Sequence, residues 1–265
     1  MLFYHDIDPV LLRLGFLNLY WYSFFLAAGV LLCYLRLRGI YRREGLPQGD
    51  LDGMMFYAIV GMFFGARMGY ALFYQPDYFL HHPAALFALW KPGLSSHGAA
   101  FGVLVALLTW SRKRKLDFLV HMSLLSLGLP LILLGARIGN FINSEAFGIP
   151  TGGEWGVVFT RLGEIHPRHP NQLYEALTAL ALYLLLNRCY QRFHLTPHPG
   201  VLTFLFGALY FSVRFLLDFY KSDPLFDGIE LLSLPQLLSL PPIIAAITYF
   251  VWIRFDKRNH SKPAA

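Results

Sequence analysis

Seven apolar stretches separated by polar loops leave this chain few ways to fold. They cover residues 17–35, 53–74, 97–111, 117–136, 170–187, 200–219 and 235–253. A helix needs roughly 20 mainly apolar residues to cross a bilayer. The third stretch is short and starts within the Ser95-Ser96-His97 turn, and the fourth ends at Arg137. The composition agrees: 56% of the residues are hydrophobic and 14% charged, where soluble domains carry about a quarter charged. The expected fold is an all-α polytopic membrane bundle of about seven transmembrane helices, forming a single domain over residues 1–265.

Basic residues orient the bundle. Arg36, Arg38, Arg42 and Arg43 follow the first stretch, and Arg112, Lys113, Arg114 and Lys115 the third. Arg188 and Arg192 follow the fifth, and Arg254, Lys257, Arg258 and Lys262 lie in the tail. The opposite side holds Arg13, Lys91, Arg137, Arg161, Arg168 and Lys221. The richer side belongs in the cytoplasm, which places the N-terminus outside and a cytoplasmic tail at 256–265. The net charge of +6 is thereby a matter of topology, and nucleic acid is not an expected partner. Met1 to Pro9 carry Asp6 and Asp8 and no Lys or Arg, unlike the basic n-region of a cleavable signal peptide. Cys33 and Cys189 lie near inner helix ends and read as packing residues, without a disulfide frame or a metal cluster.

Residues 75–92 read as a short interfacial helix with Tyr78, Phe79 and Trp90 as amphipathic anchors. The longest outer segment, 137–169, is rich in Gly, Pro, Asn and charge and reads as a small periplasmic head. Long ordered loops are uncommon unless functional.

Ionisable residues within spans are costly and usually functional. Arg67 lies in GARMGY, His97 starts the third stretch, and Arg137 ends the fourth. Arg214 lies in YFSVRFLLD, with Tyr210 and Asp218 each four residues away on the same helix face. Structural readings stand beside the functional ones. Arg214 and Asp218 suit an ion pair, and Arg67 suits snorkelling among the small residues Gly65, Ala66 and Gly69. His97 suits a helix cap. Against these stands the grouping of cations toward the outer end with few acids, which points to an anion reaching into the bilayer. Arginine binds phosphate bidentately and stays charged.

The motifs carry a resemblance. GARIGNFINSEAFG (135–148) resembles the signature of the bacterial prolipoprotein diacylglyceryl transferases. DPVLLRLGFLNLYWYSF, with Tyr22 at the motif tyrosine, GARMGYALFY, SSHGAAFG, HPNQLYEA, YFSVRFLLDF and LPQLLSLP resemble further motifs of that family, in the same order. The chain departs from the family pattern in having Asp218 where Glu is usual, and Ser123 where an Asp is usual. Ser95-Ser96 lacks an aromatic before His97, and Pro235 replaces a common Gly.

The resemblance implies transfer of an sn-1,2-diacylglyceryl group from phosphatidylglycerol to the lipobox cysteine of preprolipoproteins. Glycerol 1-phosphate leaves and a thioether forms, in the bacterial inner membrane and without a metal or other cofactor. The expected partners are phosphatidylglycerol, lipobox signal peptides and membrane lipids. The catalytic candidates are His97, as base or as orienter of the leaving group, with Arg137 and Arg214 on the phosphate. Tyr22, Arg67, Asn140, Asn143, Glu145, Tyr210 and Asp218 are candidates for substrate binding, as is Gly148, read as serving a turn. Two other functions fit the same buried arginines. One is an anionic-lipid transporter, against which the absence of repeats weighs. The other is a non-catalytic paralogue that binds lipid or signal peptide.

Overall fold

A computed structural model describes residues 1–15, 17–88, 93, 95–194, 198–221, 225–226 and 229–260, with side chains not described at 17, 96–97, 225–226, 229–231 and 257–260. Eight α-helices dominate the described residues. They are α1 (Trp21–Arg43), α2 (Gln48–Phe73), α3 (Pro76–His81), α4 (Ser96–Arg114), α5 (Phe118–Ile142), α6 (Asn171–Phe193), α7 (Val201–Asp218) and α8 (Leu234–His260). Six short strands, β1 (Leu2–His5), β2 (Val10–Leu14), β3 (Leu17–Tyr20), β4 (Gly156–Phe159), β5 (Leu225–Phe226) and β6 (Ile229–Ser233), form two-stranded ladders. The protein is an all-α, multi-spanning membrane bundle. Among the described residues, five helices are long and apolar enough to cross a bilayer: α1, α2, α5, α7 and α8 through Asp256. The other two expected crossings, α4 and α6, exist as helices of 19 and 23 residues. Their polar residues lower their hydropathy, and in α6 these include Asn171, Gln172, Glu175 and Asn187.

Some boundaries differ from expectation. Residues 17–20 form a strand, so the first helix starts at Trp21. The fourth apolar stretch does not end its helix at Arg137. The α5 backbone continues to Ile142, so Arg137 and Asn140 stand on a helix and not in a head loop. Helical hydrogen bonding continues past the point where apolarity stops.

The chain divides into two compact units, residues 37–121 and residues 1–36 with 122–265. In the first, α2 and α4 meet along glycines four residues apart, Gly61, Gly65 and Gly69 against Gly98 and Gly102. A Cβ on Gly102 would lie 2.1 Å from the Gly61 carbonyl oxygen, and one on Gly65 2.3 Å from that of Gly98. Without a hydrophobic drive between helices in lipid, such close backbone approach is what holds them. At one end, Arg114 pairs with the buried Asp50 at 2.8 Å. At the other, the Ser95 backbone N–H donates to the Ala66 carbonyl at 2.9 Å, and its hydroxyl caps α4 by accepting from the Gly98 N–H.

In the larger unit, α1 crosses α5 on glycines as well. A Cβ on Gly29 would meet the Leu131 carbonyl oxygen at 2.6 Å, and one on Gly135 that of Phe25 at 2.2 Å. Ser123 and Thr203 share a hydrogen bond at 3.2 Å between α5 and α7. The head of this unit is partly β. Strand β1 pairs in parallel with β4, from Leu2 beside Gly156 to His5 beside Phe159. His5 is fully buried there against Phe141 and Phe159, with Nδ1 3.2 Å from the Ser144 hydroxyl. Burial pushes its imidazole below the ordinary value.

Candidate functional site

The centre of the site is Glu175, a carboxylate on α6 that is 7% exposed. A buried carboxylate needs compensating charge, and three cations supply it. Lys221, just beyond α7, places Nζ 2.8 Å from Oε1. Arg214 on α7 donates from Nη1 to the same oxygen at 2.5 Å. Arg137 on α5 pairs through Nε with Oε2. Arg137 and Arg214 remain about a fifth exposed, whereas Lys221 is enclosed. Burial pushes the Lys221 ammonium below its ordinary range, and the Glu175 carboxylate beside it opposes that shift.

A polar chain leads away from Arg137. Its Nη1 donates to Asn140 Oδ1 at 3.3 Å, one turn on along α5. Asn140 Nδ2 donates to Glu145 Oε2 at 3.3 Å, and Asn143 Nδ2 to Oε1 at 3.4 Å. Gln172 on α6 donates to the Glu145 backbone oxygen at 2.6 Å, fixing this corner against the helix that carries Glu175. The three expected residues of the GNFINSE run therefore do lie together.

Gly148 does not use the left-handed backbone that only glycine adopts freely, since its φ is not positive. It is a point of close approach, bridged to Lys221 as an isolated antiparallel pair. A Cβ there would lie 2.4 Å from the Tyr220 carbonyl oxygen and 2.7 Å from His169 Cβ. Any larger residue would push the Lys221 segment away. Tyr22 is placed by another glycine, for a Cβ on Gly139 would come within 2.8 Å of its Cα.

The shared face of α7 is only partly a shared site. Tyr210 stacks on Phe206, with ring centroids 5.4 Å apart. Arg214 takes Glu175 as its acid, whereas Asp218 is bound to the Ser233 hydroxyl. Gln236 accepts from the Ser233 N–H at 2.9 Å and donates to the Phe215 carbonyl. Asp218 thus ties the end of α7 to the start of α8, where Ser233 and Gln236 form a capping box.

Arg67 lies in the unit of residues 37–121. It is 3% exposed and donates to the carbonyls of Gly93 and Ala85, each at 2.9 Å. Its guanidinium lies over Phe79, 5.1 Å from the ring centroid. Phe79 is accordingly buried, not the surface anchor expected of it, while Tyr78 is exposed. Trp90 lies outside the described residues. His97 occupies the second position of α4, and its side chain also lies outside them.

Glu175 and Lys221 were not singled out from the sequence. A signal existed for Glu175, the only charged residue in the 170–187 stretch. Lys221 looked like an ordinary loop cation.

Known proteins resemble this chain along nearly its whole length. The sequence model of the prolipoprotein diacylglyceryl transferase family matches residues 9–252. A phosphatidylglycerol–prolipoprotein diacylglyceryl transferase of Tolumonas auensis is 38% identical over 250 residues, covering 93% of this chain and 95% of that one. One of Cupriavidus metallidurans is 36% identical over 274 residues, covering 100% of both. One of Chloroherpeton thalassium is 36% identical over 246 residues, covering 91% of both.

Proposed function

The chain belongs to the prolipoprotein diacylglyceryl transferase family, a membrane transferase that moves a diacylglyceryl group, and from this we propose its donor, acceptor and working residues. The donor is phosphatidylglycerol and the acceptor is the lipobox cysteine thiol of a preprolipoprotein signal peptide. The thiolate attacks the glycerol CH2 next to the phosphate. A C–S bond forms, the C–O bond breaks, and glycerol 1-phosphate leaves with the bonding electrons. The observation that carries this reading is the gathering of Arg137, Arg214 and Lys221 at the single carboxylate of Glu175. Cations in excess over acid, two of them partly open, suit a phosphate that gains charge as it departs.

Arg137 and Arg214 take the phosphate, and Asn140, Asn143 and Glu145 the headgroup hydroxyls. Tyr22 and Tyr210 hydrogen-bond phosphate or ester oxygens. Asp218, through Ser233, and Gly148, through Lys221, hold this arrangement. Arg67 serves the substrate indirectly, by keeping Ala85 and Gly93 beside α2. His97 takes the thiol proton, because the thiolate is the nucleophile.

The helices α4 and α6 complete seven crossings. At a rise of about 1.5 Å per residue, their 19 and 23 residues span about 28 and 34 Å, close to the roughly 30 Å of the bilayer core. The excess of Lys and Arg on one side supports an outer N-terminus and a cytoplasmic C-terminus in the bacterial inner membrane.

The test is purified protein with phosphatidylglycerol and a lipobox peptide, read by mass spectrometry. A diacylglyceryl mass gain on the cysteine with glycerol phosphate released is the expected result. Loss of that gain in His97→Ala and Arg214→Ala would tie the reaction to these residues. No gain from folded, lipid-binding protein would overturn the proposal.

A further inference from the structure

A cavity of about 400 Å³ lies where Arg36 on α1 meets α6, lined by Arg36, Tyr183, Leu184, Asn187, Arg188 and Gln191. That volume suits a small ligand. It lies well away from Glu175: Asn187 is twelve residues further along α6, about 18 Å at the helical rise. The lining contains two arginines and no acid.

Arg36 is held ready rather than neutralised. Its Nε donates to the Asn187 side-chain oxygen at 2.6 Å, a neutral acceptor. Asn187 is itself fixed, since its Nδ2 donates to the carbonyls of Leu127 at 3.1 Å and Tyr183 at 2.8 Å. The amide oxygen must then face Arg36, which is oriented by a neutral partner. Arg188 on the other wall is exposed. The neighbouring wall is apolar. Leu184 is exposed, and one and two turns back along α6 so are Leu180 and Leu177. In a multi-spanning membrane protein an exposed leucine stripe faces lipid. Two arginines at the end of such a stripe match an amphiphile with an anionic head.

We propose that this pocket holds the phosphate headgroup of an anionic lipid whose acyl chains lie along Leu184, Leu180 and Leu177. Arg36 and Arg188 supply charge-assisted hydrogen bonds to the phosphate, and Gln191 and Tyr183 line the head. The site is separate from the Glu175 cluster and does not rest on the reaction proposed for it.

The test counts bound lipids by native mass spectrometry on purified full-length protein titrated with short-chain phosphatidic acid. Wild type is compared with Arg188→Gln, which alters only an exposed side chain, and with the Arg36→Gln/Arg188→Gln pair, melting curves confirming that each is folded. One lipid-binding event should weaken in the single variant and by about tenfold or more in the pair, the worth of charge-assisted hydrogen bonds. Equal binding by all three proteins would overturn the proposal. Equal competition by short-chain phosphatidylcholine would overturn the anionic requirement. Displacement of the lipid by inorganic phosphate at matched concentration would show a free-anion site and overturn the lipid assignment.

Discussion

Glu175→Gln is the most informative single change, because it removes the charge from the centre of the cluster and keeps its shape. Lys221 Nζ and Arg214 Nη1 bond to the same carboxylate oxygen at 2.8 and 2.5 Å. The two nitrogens therefore stand no more than about 5 Å apart. At an effective dielectric near 20, their mutual repulsion is about 3 kcal/mol. Arg137 adds a third cation on the other oxygen. Removing one partner of a buried ion pair typically costs about 3–5 kcal/mol. The partial exposure of both arginines places this case near the lower end, about 3 kcal/mol. For a chain of this length that lowers Tm by roughly 6–10 °C. Turnover should fall by about a hundredfold, the scale of a 1 Å misplacement of a catalytic group. KM for the anionic donor should stay level or fall, because the site becomes more positive. Glu175→Asp keeps the charge but loses a methylene, so it should recover melting temperature better than turnover. The assay pairs thermal melts with initial rates of diacylglyceryl transfer to a lipobox peptide. A raised KM with unchanged kcat, or melting like wild type, would refute the positioning role of Glu175.

Arg137→Lys retains charge but presents one nitrogen where the guanidinium uses Nε for Glu175 and Nη1 for Asn140. Turnover should fall by about a hundredfold or more, and near-normal rates would remove Arg137 from the catalytic role. Gly102→Ala sets a Cβ 2.1 Å from the Gly61 backbone oxygen, so α4 must shift. The expected loss is about 1–3 kcal/mol, read by thermal melting, and an unchanged melt would show that the glycine contact is not needed. His5 tests the head by pH. Its folded-state pKa lies below the unfolded value of 6.5 because burial disfavours the charged form. Above that value the protonation states match and nothing is lost; as pH falls below it, the unfolded chain binds more protons and the head loses stability. Hydrogen exchange at β1 and β4 should speed up at pH 5.5 relative to 7.5 beyond the intrinsic rate change, and His5→Phe should abolish that difference.

The helices were legible because apolar runs between basic loops declare themselves, and α2, α5, α7 and α8 appear close to where the runs lie. The polar corner of Asn140, Asn143 and Glu145 was legible too, since those residues are close in sequence. Three features were not. The parallel pairing of Leu2–His5 with Gly156–Phe159 joins segments some 150 residues apart, and no local pattern records a partner at that range. The helical setting of Arg137 was hidden because an apolar run marks where a helix is greasy, not where its backbone bonding stops. The convergence on Glu175 draws residues from α5, α6, α7 and the segment after α7. Sequence spacing placed Arg214 with Asp218, four residues on, whereas the structure binds Asp218 to Ser233 and brings Glu175 to Arg214 from another helix.

The charge of that convergence suits the proposed reaction. Arg137, Arg214 and Lys221 against Glu175 leave two positive charges in excess. A phosphodiester donor brings one negative charge, and the phosphate monoester that leaves approaches two. A cluster with one charge in excess would be spent on binding the donor, whereas the second is matched only as the C–O bond breaks. Interactions that strengthen on the way to the transition state are the ones that raise turnover. Glu175 makes this possible in a buried place, since three unaccompanied cations would repel one another there. In the proposed reaction its carboxylate would hold them together at a cost in net charge that still leaves the departing phosphate a better partner than the bound donor. Glu175→Gln therefore separates binding from turnover: it adds charge for the donor while releasing the geometry that the leaving group requires.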